Sequence, residues 1–192
     1  MSYTIVPVNE IPKAQPVPHD DLTKLYKYFF YMEMICNEFY GIGLHAVQIG
    51  LPLDMYVIKR DSKFEYYLNC VYEPVRDEDP LPGPEKVLSI EGCLSLVNSD
   101  GSSRYFAVNR YKRIVVHGAS LCAHKLELRP VHMYLGEGDG VYCMAHQHEI
   151  SHGSGTLISQ IGQEIYIRKV SYVKSTTTSK YLSSACWGPS SM

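Results

Sequence analysis

The chain has 192 residues, a formal net charge of −2 and 45% hydrophobic residues. This length favours a single domain that buries a hydrophobic core without disulfides or partners. The near-neutral charge, with no basic run, argues against a nucleic-acid-binding surface. No apolar stretch reaches the roughly 18 residues that span a bilayer. We therefore expect a globular protein with no membrane partner and no specific nucleic-acid partner.

Targeting signals and disulfides are not expected either. The first ten residues contain Glu10 but no Lys or Arg, whereas a secretory signal starts with basic residues and a transit peptide is rich in Arg. Six cysteines are present, and none forms a C-x-x-C pair. We predict reduced thiols and a cytoplasmic location.

The predicted elements begin with an extended arm over residues 7–18, which are rich in Pro and polar residues. Asp20 or Asp21 can then cap a helix of roughly 18 residues, because apolar side chains from Leu22 to Cys36 recur at helical spacing. Gly41 is expected to end this helix.

After the helix, the pattern changes to short segments of β-branched and aromatic residues. The predicted strands are residues 53–59, 64–71, 104–108, 113–117 and 131–135. A second helix fits residues 140–152, with Asp139 as its N-cap, and residues 163–170 form a possible further strand. We predict an α+β fold with one domain over residues 1–174 and a Ser/Thr-rich tail over residues 175–192.

The second predicted helix carries a metal-binding pattern, His148-Glu149-Ile150-Ser151-His152. Residues four apart share one face of a helix, so His148 and His152 can bind one metal ion. Glu149 projects away from that face and can reach a water on the metal without being a ligand. This geometry is typical of a hydrolytic site in which Glu is the general base.

Such a site needs a third protein ligand. Downstream of His152 the chain has no His and no Asp, and its one acidic residue is Glu164. The third ligand is therefore expected upstream, or at Cys186 in the tail. The upstream candidate is Cys93, because a thiolate is a strong ligand for zinc or ferrous iron. The alternative for an isolated cysteine is a small buried apolar residue.

Three segments resemble the signature motifs of the peptide deformylase family. They are residues 41–48 (GIGLHAVQ), residues 91–95 (EGCLS) and residues 147–152 (QHEISH). Their order and approximate spacing match the family. The segment Val108-Asn109-Arg110 also resembles one that the family carries between its second and third motifs. The resemblance extends over roughly residues 5 to 165.

The resemblance implies a metal-dependent hydrolase that removes the formyl group from the N-terminal formyl-methionine of newly made polypeptides, releasing formate. It implies antiparallel β-sheets packed around a central helix that carries the metal motif. The implied metal ligands are Cys93, His148 and His152, and the metal is Fe²⁺, with Zn²⁺, Ni²⁺ or Co²⁺ as substitutes. Glu149 would be the general base.

The remaining implied roles concern the substrate. The oxyanion would be stabilised by the Gln48 side-chain amide and the Leu94 backbone N–H. The cleft would be lined by the loop of Gly41, Ile42 and Gly43, and we expect Ile42, Met144 and Ala145 to form an apolar methionine pocket. The partners implied are N-formyl-methionyl nascent peptides and, beyond them, the ribosome exit region.

The chain also departs from the family pattern. His45 stands where a small residue is usual, Ser151 where Asp is usual and Gly153 where Leu is usual. A titratable His45 beside the cleft would alter substrate reach or add a hydrogen bond. Two alternatives stay open: a zincin-type metalloprotease, which the missing downstream ligand disfavours, and a catalytically weakened deformylase-like binding protein.

Overall fold

The computed structural model describes residues 4–75, 85–135 and 163–165. Short 3₁₀ turns occupy Val8–Glu10 and Ala46–Ile49, and helix α1 occupies Leu22–Glu38. The strands are β1 Gly43–His45, β2 Met55–Arg60, β3 Lys63–Pro74, β4 Lys86–Val97, β5 Ser103–Tyr111, β6 Ile114–Cys122, β7 Glu127–Leu135 and β8 Gln163–Ile165.

Helix α1 confirms the helix predicted from the apolar spacing. Asp21 is its N-cap, and the Asp21 carboxylate accepts a hydrogen bond from the backbone N–H of Lys24 at 2.9 Å. The apolar face of the helix is buried through Leu25, Phe29, Met32, Ile35 and Cys36. The backbone N–H of Gly41 donates to the carbonyl of Cys36 just beyond the helix end.

The first sheet has the strand order β1-β2-β3-β6-β7, and every neighbouring pair is antiparallel. Helix α1 packs on this sheet and forms one core cluster with residues of β1, β2 and β3. The ring of Phe29 stacks on that of Tyr66 with centroids 4.8 Å apart. Near the end of the helix, Ile35 and Cys36 belong to the same cluster as Leu44 of β1, so the loop between them begins and ends at this core.

The second sheet has the strand order β4-β5-β8, again antiparallel. The pairing of β4 with β5 is regular from Lys86 to Gly92 and then shifts before it resumes at Val97. A smaller core cluster joins Cys93 of β4 to Val47 of the 3₁₀ turn, together with Leu96, Phe106 and Val108. The two sheets therefore meet where Cys93 lies beside that turn.

The predicted α+β class with antiparallel sheets is confirmed, and each of the five predicted strands overlaps an observed one. Strand β4 was not predicted, because Glu91 and Gly92 interrupt its apolar alternation, and neither was the three-residue β1. The further strand predicted over residues 163–170 is observed over Gln163–Ile165 as β8, and the rest of that range lies outside the described residues. The predicted helix over residues 140–152, the predicted tail and the boundary between domain and tail lie outside the described residues.

Among the helices of the described ranges, none combines the length and the hydrophobicity that crossing a bilayer requires. The four cysteines that lie within those ranges form no disulfide there, and the reduced state of the thiols stays a prediction.

Candidate active site

Gln48 and Cys93, which are 45 residues apart in the chain, meet in the interior. The Gln48 side-chain Nε2 donates to the Cys93 Sγ at 3.4 Å and to the Ser95 Oγ at 3.3 Å. Gln48 is 1% exposed and Cys93 is 5% exposed. The first and second sequence motifs therefore lie in direct contact, and the predicted metal ligand lies next to a predicted oxyanion donor.

The conformation of the 3₁₀ turn orients the Gln48 amide. The backbone N–H of His45 donates to the Gln48 Oε1 at 2.9 Å, and the His45 Nδ1 accepts from the backbone N–H of Val47 at 3.3 Å. Gly50 ends the turn with a positive φ of 78°, which glycine adopts without steric cost. Because the Gln48 Oε1 faces a backbone donor, its Nε2 is directed at Cys93 and Ser95.

Leu94 lies where the register of β4 against β5 shifts, between Gly92 and Val97. The regular ladder is interrupted there, which suits a backbone N–H that serves a ligand instead of the sheet. The Leu94 side chain packs against the first motif. A Cβ added to Gly41 would lie 2.9 Å from the Leu94 Cδ1 and 2.9 Å from the Cys36 Sγ. Gly41 is thus where the loop after α1 approaches β4.

An ion pair braces β4 two residues before Cys93. The Arg110 Nε donates to the Glu91 Oε1 at 2.7 Å, and the Arg110 Nη2 donates to the Glu91 Oε2 at 2.8 Å. The Arg110 side chain is 3% exposed and that of Glu91 is 9% exposed. Two parallel charge-assisted hydrogen bonds restrict both side chains, so the pair fixes β4 against β5 at the edge of the site.

The residues predicted to bind substrate are only partly described. Ile42 is 69% exposed, and Gly41 and Gly43 are partly exposed, so this loop is accessible from outside. The backbone N–H of Lys59 donates to the Ile42 carbonyl at 2.8 Å, which ties the loop to β2. Met144 and Ala145 lie outside the described residues, and the methionine pocket stays a prediction.

The metal ligand set is described only at Cys93. His148, His152, the base Glu149 and the alternative ligand Cys186 all lie outside the described residues. In residues 4–75, 85–135 and 163–165, no group of three or more His, Cys, Asp or Glu side chains is placed to hold a metal ion. Cys93 itself suits a ligand, because the N–H donated by Gln48 can offset the negative charge of a thiolate.

Three polar residues of this region had no predicted role. Asp54 is 7% exposed and its Oδ1 lies 3.3 Å from the His45 Nε2. Ser95 and Arg110 are buried as well. Asp54 could have been noticed, because it is an acidic residue inside an otherwise apolar run from Leu51 to Ile58. His45 was expected beside the cleft, which stays a prediction; its side chain is fully buried, with the Nε2 facing Asp54.

Comparison with known proteins decides the family. The family model described as polypeptide deformylase matches residues 11–164, which include all three motifs. The chain belongs to the peptide deformylase family. This deformylase is a hydrolase, and family membership implies a metal ion and a formylated peptide substrate.

The curated relatives agree. The peptide deformylase of Bartonella quintana (strain Toulouse) is 31% identical over 160 residues, which are 81% of this chain and 82% of that protein. The peptide deformylase of Bartonella tribocorum is 34% identical over 134 residues, 67% of each chain.

Solved structures show the same fold. A peptide deformylase from Thermotoga maritima superposes with a TM-score of 0.64 at 22% identity, covering 84% of this chain and 97% of that one. A peptide deformylase from Synechococcus elongatus, solved in complex with actinonin, gives a TM-score of 0.65 at 19% identity, covering 85% and 79% of the two chains.

Proposed function

We propose that this deformylase removes the formyl group from N-formyl-methionyl nascent peptides with one divalent metal ion held by Cys93, His148 and His152. The contact that carries the proposal is the hydrogen bond from the Gln48 Nε2 to the Cys93 Sγ. It places a polarised amide donor beside the predicted metal ligand in a water-poor environment, where such donors act most strongly.

The two histidines are proposed on the spacing of four residues, which puts both on one face of a helix over residues 140–152. A thiolate with two imidazoles suits ferrous iron, zinc, nickel or cobalt, and we propose Fe²⁺ as the native ion. A divalent ion in this position would supply Lewis acidity, which lowers the pKa of water towards neutrality.

The chain's own residues transfer the protons and stabilise the negative charge that develops during the reaction. Glu149 accepts a proton from the attacking water and then passes it to the departing amine. The Gln48 Nε2 and the Leu94 backbone N–H donate to the oxygen of the formyl group as negative charge develops on it. We expect Gln48 to exchange one of its present acceptors, the Cys93 Sγ or the Ser95 Oγ, for that oxygen when substrate binds.

The loop of Gly41, Ile42 and Gly43 is proposed to line the cleft, since Ile42 is exposed next to the site. Met144 and Ala145 are proposed to complete an apolar pocket for the methionine side chain. A position near the ribosome exit and a cytoplasmic location remain predictions from the sequence.

The deciding experiment is formate release from formyl-Met-Ala-Ser by protein purified anaerobically with ferrous iron. Glu149→Ala should abolish turnover and keep the metal, whereas Cys93→Ala should lose both. Cys122→Ala is the matched control, because Cys122 is a partly exposed cysteine at the end of β6, and it should match the parent.

Removal of the metal by a chelator should abolish turnover in the parent, and ferrous iron should restore it. A parent with stoichiometric metal but no formate from any formyl peptide would contradict the proposal and favour the binding-protein alternative. Cleavage of internal bonds in an unblocked peptide would favour the metalloprotease alternative. If Cys93→Ala keeps its metal, the third ligand must be another residue, such as Cys186.

A further inference from the structure

The His45 side chain is buried between Asp54 and Tyr56. It is 0% exposed, its Nε2 lies 3.3 Å from the Asp54 Oδ1, and its ring stacks on Tyr56 with centroids 5.7 Å apart and planes 26° apart. Asp54 is itself anchored through its backbone, because its N–H donates to Gln15 and its carbonyl accepts from Asn69. The Asp54 carboxylate therefore faces the His45 ring from an anchored backbone position.

The hydrogen bonds of the two His45 ring nitrogens select one tautomer of the neutral ring. The Nδ1 accepts a hydrogen bond from the Val47 N–H, so it carries no proton in the neutral ring. The proton then lies on the Nε2 and is donated to Asp54. Because the Asp54 carboxylate accepts the proton of the Nε2, the Nδ1 is left as the acceptor for the Val47 N–H of the turn.

The same residue also holds Gln48. The His45 backbone N–H donates to the Gln48 Oε1 at 2.9 Å, and the Gln48 Nε2 reaches Cys93. A continuous series of hydrogen bonds therefore leads from Asp54 through the His45 ring to Val47 in the turn, and from the His45 backbone to the amide beside Cys93.

We propose that His45, anchored by Asp54, is a positioning residue that holds the turn Ala46–Ile49 so that the Gln48 amide is directed at the reaction centre. The inference deepens the proposed function and rests on it for its kinetic consequence. An alanine at this position would offer the turn no side-chain acceptor, so in this chain the pair Asp54 and His45 supplies that support.

Three substitutions of His45 separate its side-chain hydrogen bonds to Val47 and to Asp54. His45→Ala removes both, His45→Asn keeps an oxygen near the position of the Nδ1, and His45→Gln keeps a donor near the position of the Nε2. We expect His45→Ala to lower kcat for formyl-Met-Ala-Ser about 10- to 100-fold, with KM and iron content little changed. Because asparagine is a strong N-cap, His45→Asn should recover most of kcat, and His45→Gln should recover less.

Val57→Ala is the matched control, because it removes volume from a fully buried residue of β2 in the same sheet without a hydrogen bond to the turn. It should lower the melting temperature and leave kcat unchanged below that temperature. If His45→Ala lowers kcat no more than Val57→Ala, or if His45→Asn recovers nothing, the proposal is wrong.

A readout independent of turnover separates this proposal from the proposed function. The two side-chain amide protons of Gln48, assigned by their loss in Gln48→Glu, should exchange slowly with solvent in the parent and at least about 10-fold faster in Asp54→Ala and His45→Ala. Unchanged exchange would overturn the positioning role even in an active enzyme. An inactive parent in which exchange rises as expected would overturn only the proposed function.

Discussion

The Gln48 Nε2 lies 3.4 Å from the Cys93 Sγ and donates a hydrogen bond to it. Gln48 comes from the 3₁₀ turn beside the first sheet, whereas Cys93 comes from β4 of the second sheet. The contact therefore joins the two sheets at the candidate active site. It also makes the side chain of Gln48 sensitive to changes in either sheet.

Gln48→Glu should separate binding of the metal from catalysis. The substitution keeps the size of the side chain but removes the Nε2 donors and adds a negative charge near the Cys93 sulfur. Because loss of one oxyanion donor costs about 10²- to 10³-fold in rate, we expect kcat to fall by that amount. Formate release and iron content measured on the same sample test this, and a variant with parental kcat would remove Gln48 from the mechanism.

The Glu91–Arg110 pair should be important for stability. Glu91→Ala leaves a buried guanidinium without its bidentate partner, so we expect the free energy of unfolding to fall by about 3–5 kcal/mol. The double variant Glu91→Leu with Arg110→Met should lose less than Glu91→Ala alone, because it removes both charges of the pair together. Urea unfolding of the three proteins measures these differences.

The control for that prediction is the exposed pair of Lys112 and Glu85, at 3.2 Å with side chains 39% and 60% exposed. Lys112→Ala should cost no more than about 1 kcal/mol, because solvent screens the charges. Equal losses for Glu91→Ala and Lys112→Ala would show that burial of the first pair has no energetic consequence.

Gly41→Ala should strain the approach between the first motif and β4. Its Cβ would lie 2.9 Å from both the Cys36 Sγ and the Leu94 Cδ1, and overpacking of this kind costs about 1–3 kcal/mol. Gly92→Ala is the comparison, because the nearest atoms to its Cβ lie 3.4 Å away. Thermal unfolding should show a clear loss for Gly41→Ala and a small change for Gly92→Ala; a reversed order would contradict the packing at Gly41.

Stability should decrease at alkaline pH. Burial raises the pKa of the Cys36 thiol from 9.0 to about 11, and a smaller contribution from Glu33 acts in the same direction while Lys59 opposes it. Between these values the unfolded chain releases a proton that the folded chain keeps, so the free energy of unfolding falls as pH rises. Cys36 alone should account for about 1 kcal/mol at pH 10 relative to pH 8.

Two tyrosines add to this alkaline effect. Burial raises the pKa of Tyr66 and of Tyr67, and hydrogen bonds to Glu33 and Glu65 raise them further. Urea unfolding at pH 8 and pH 10 measures the total loss. Cys36→Ala should show a smaller loss than the parent and Cys122→Ala the same loss as the parent. An identical pH dependence in Cys36→Ala would exclude the Cys36 contribution.

Much of the fold could be predicted from local patterns. Helix α1 was predicted because Asp21 and the apolar spacing from Leu22 to Cys36 are local signals. Strand β4 was not, since its inner face carries the polar residues Ser89 and Glu91. Only the fold shows that Ser89 is buried and that Glu91 is paired with Arg110 of β5. The pairing of β4 with β5 is information that no short window of sequence contains.

The sequence by itself determined the family, because three short motifs occur in the family's order over residues that its model matches. The residue types Cys, His, Glu and Gln in those motifs predict the chemistry. Only the tertiary structure decided that the buried His45 side chain faces Asp54 and that Gln48 contacts Cys93. The physical reason is that the direction of a side chain depends on the turn and the sheet that hold its backbone, and both are fixed by packing between segments distant in the chain.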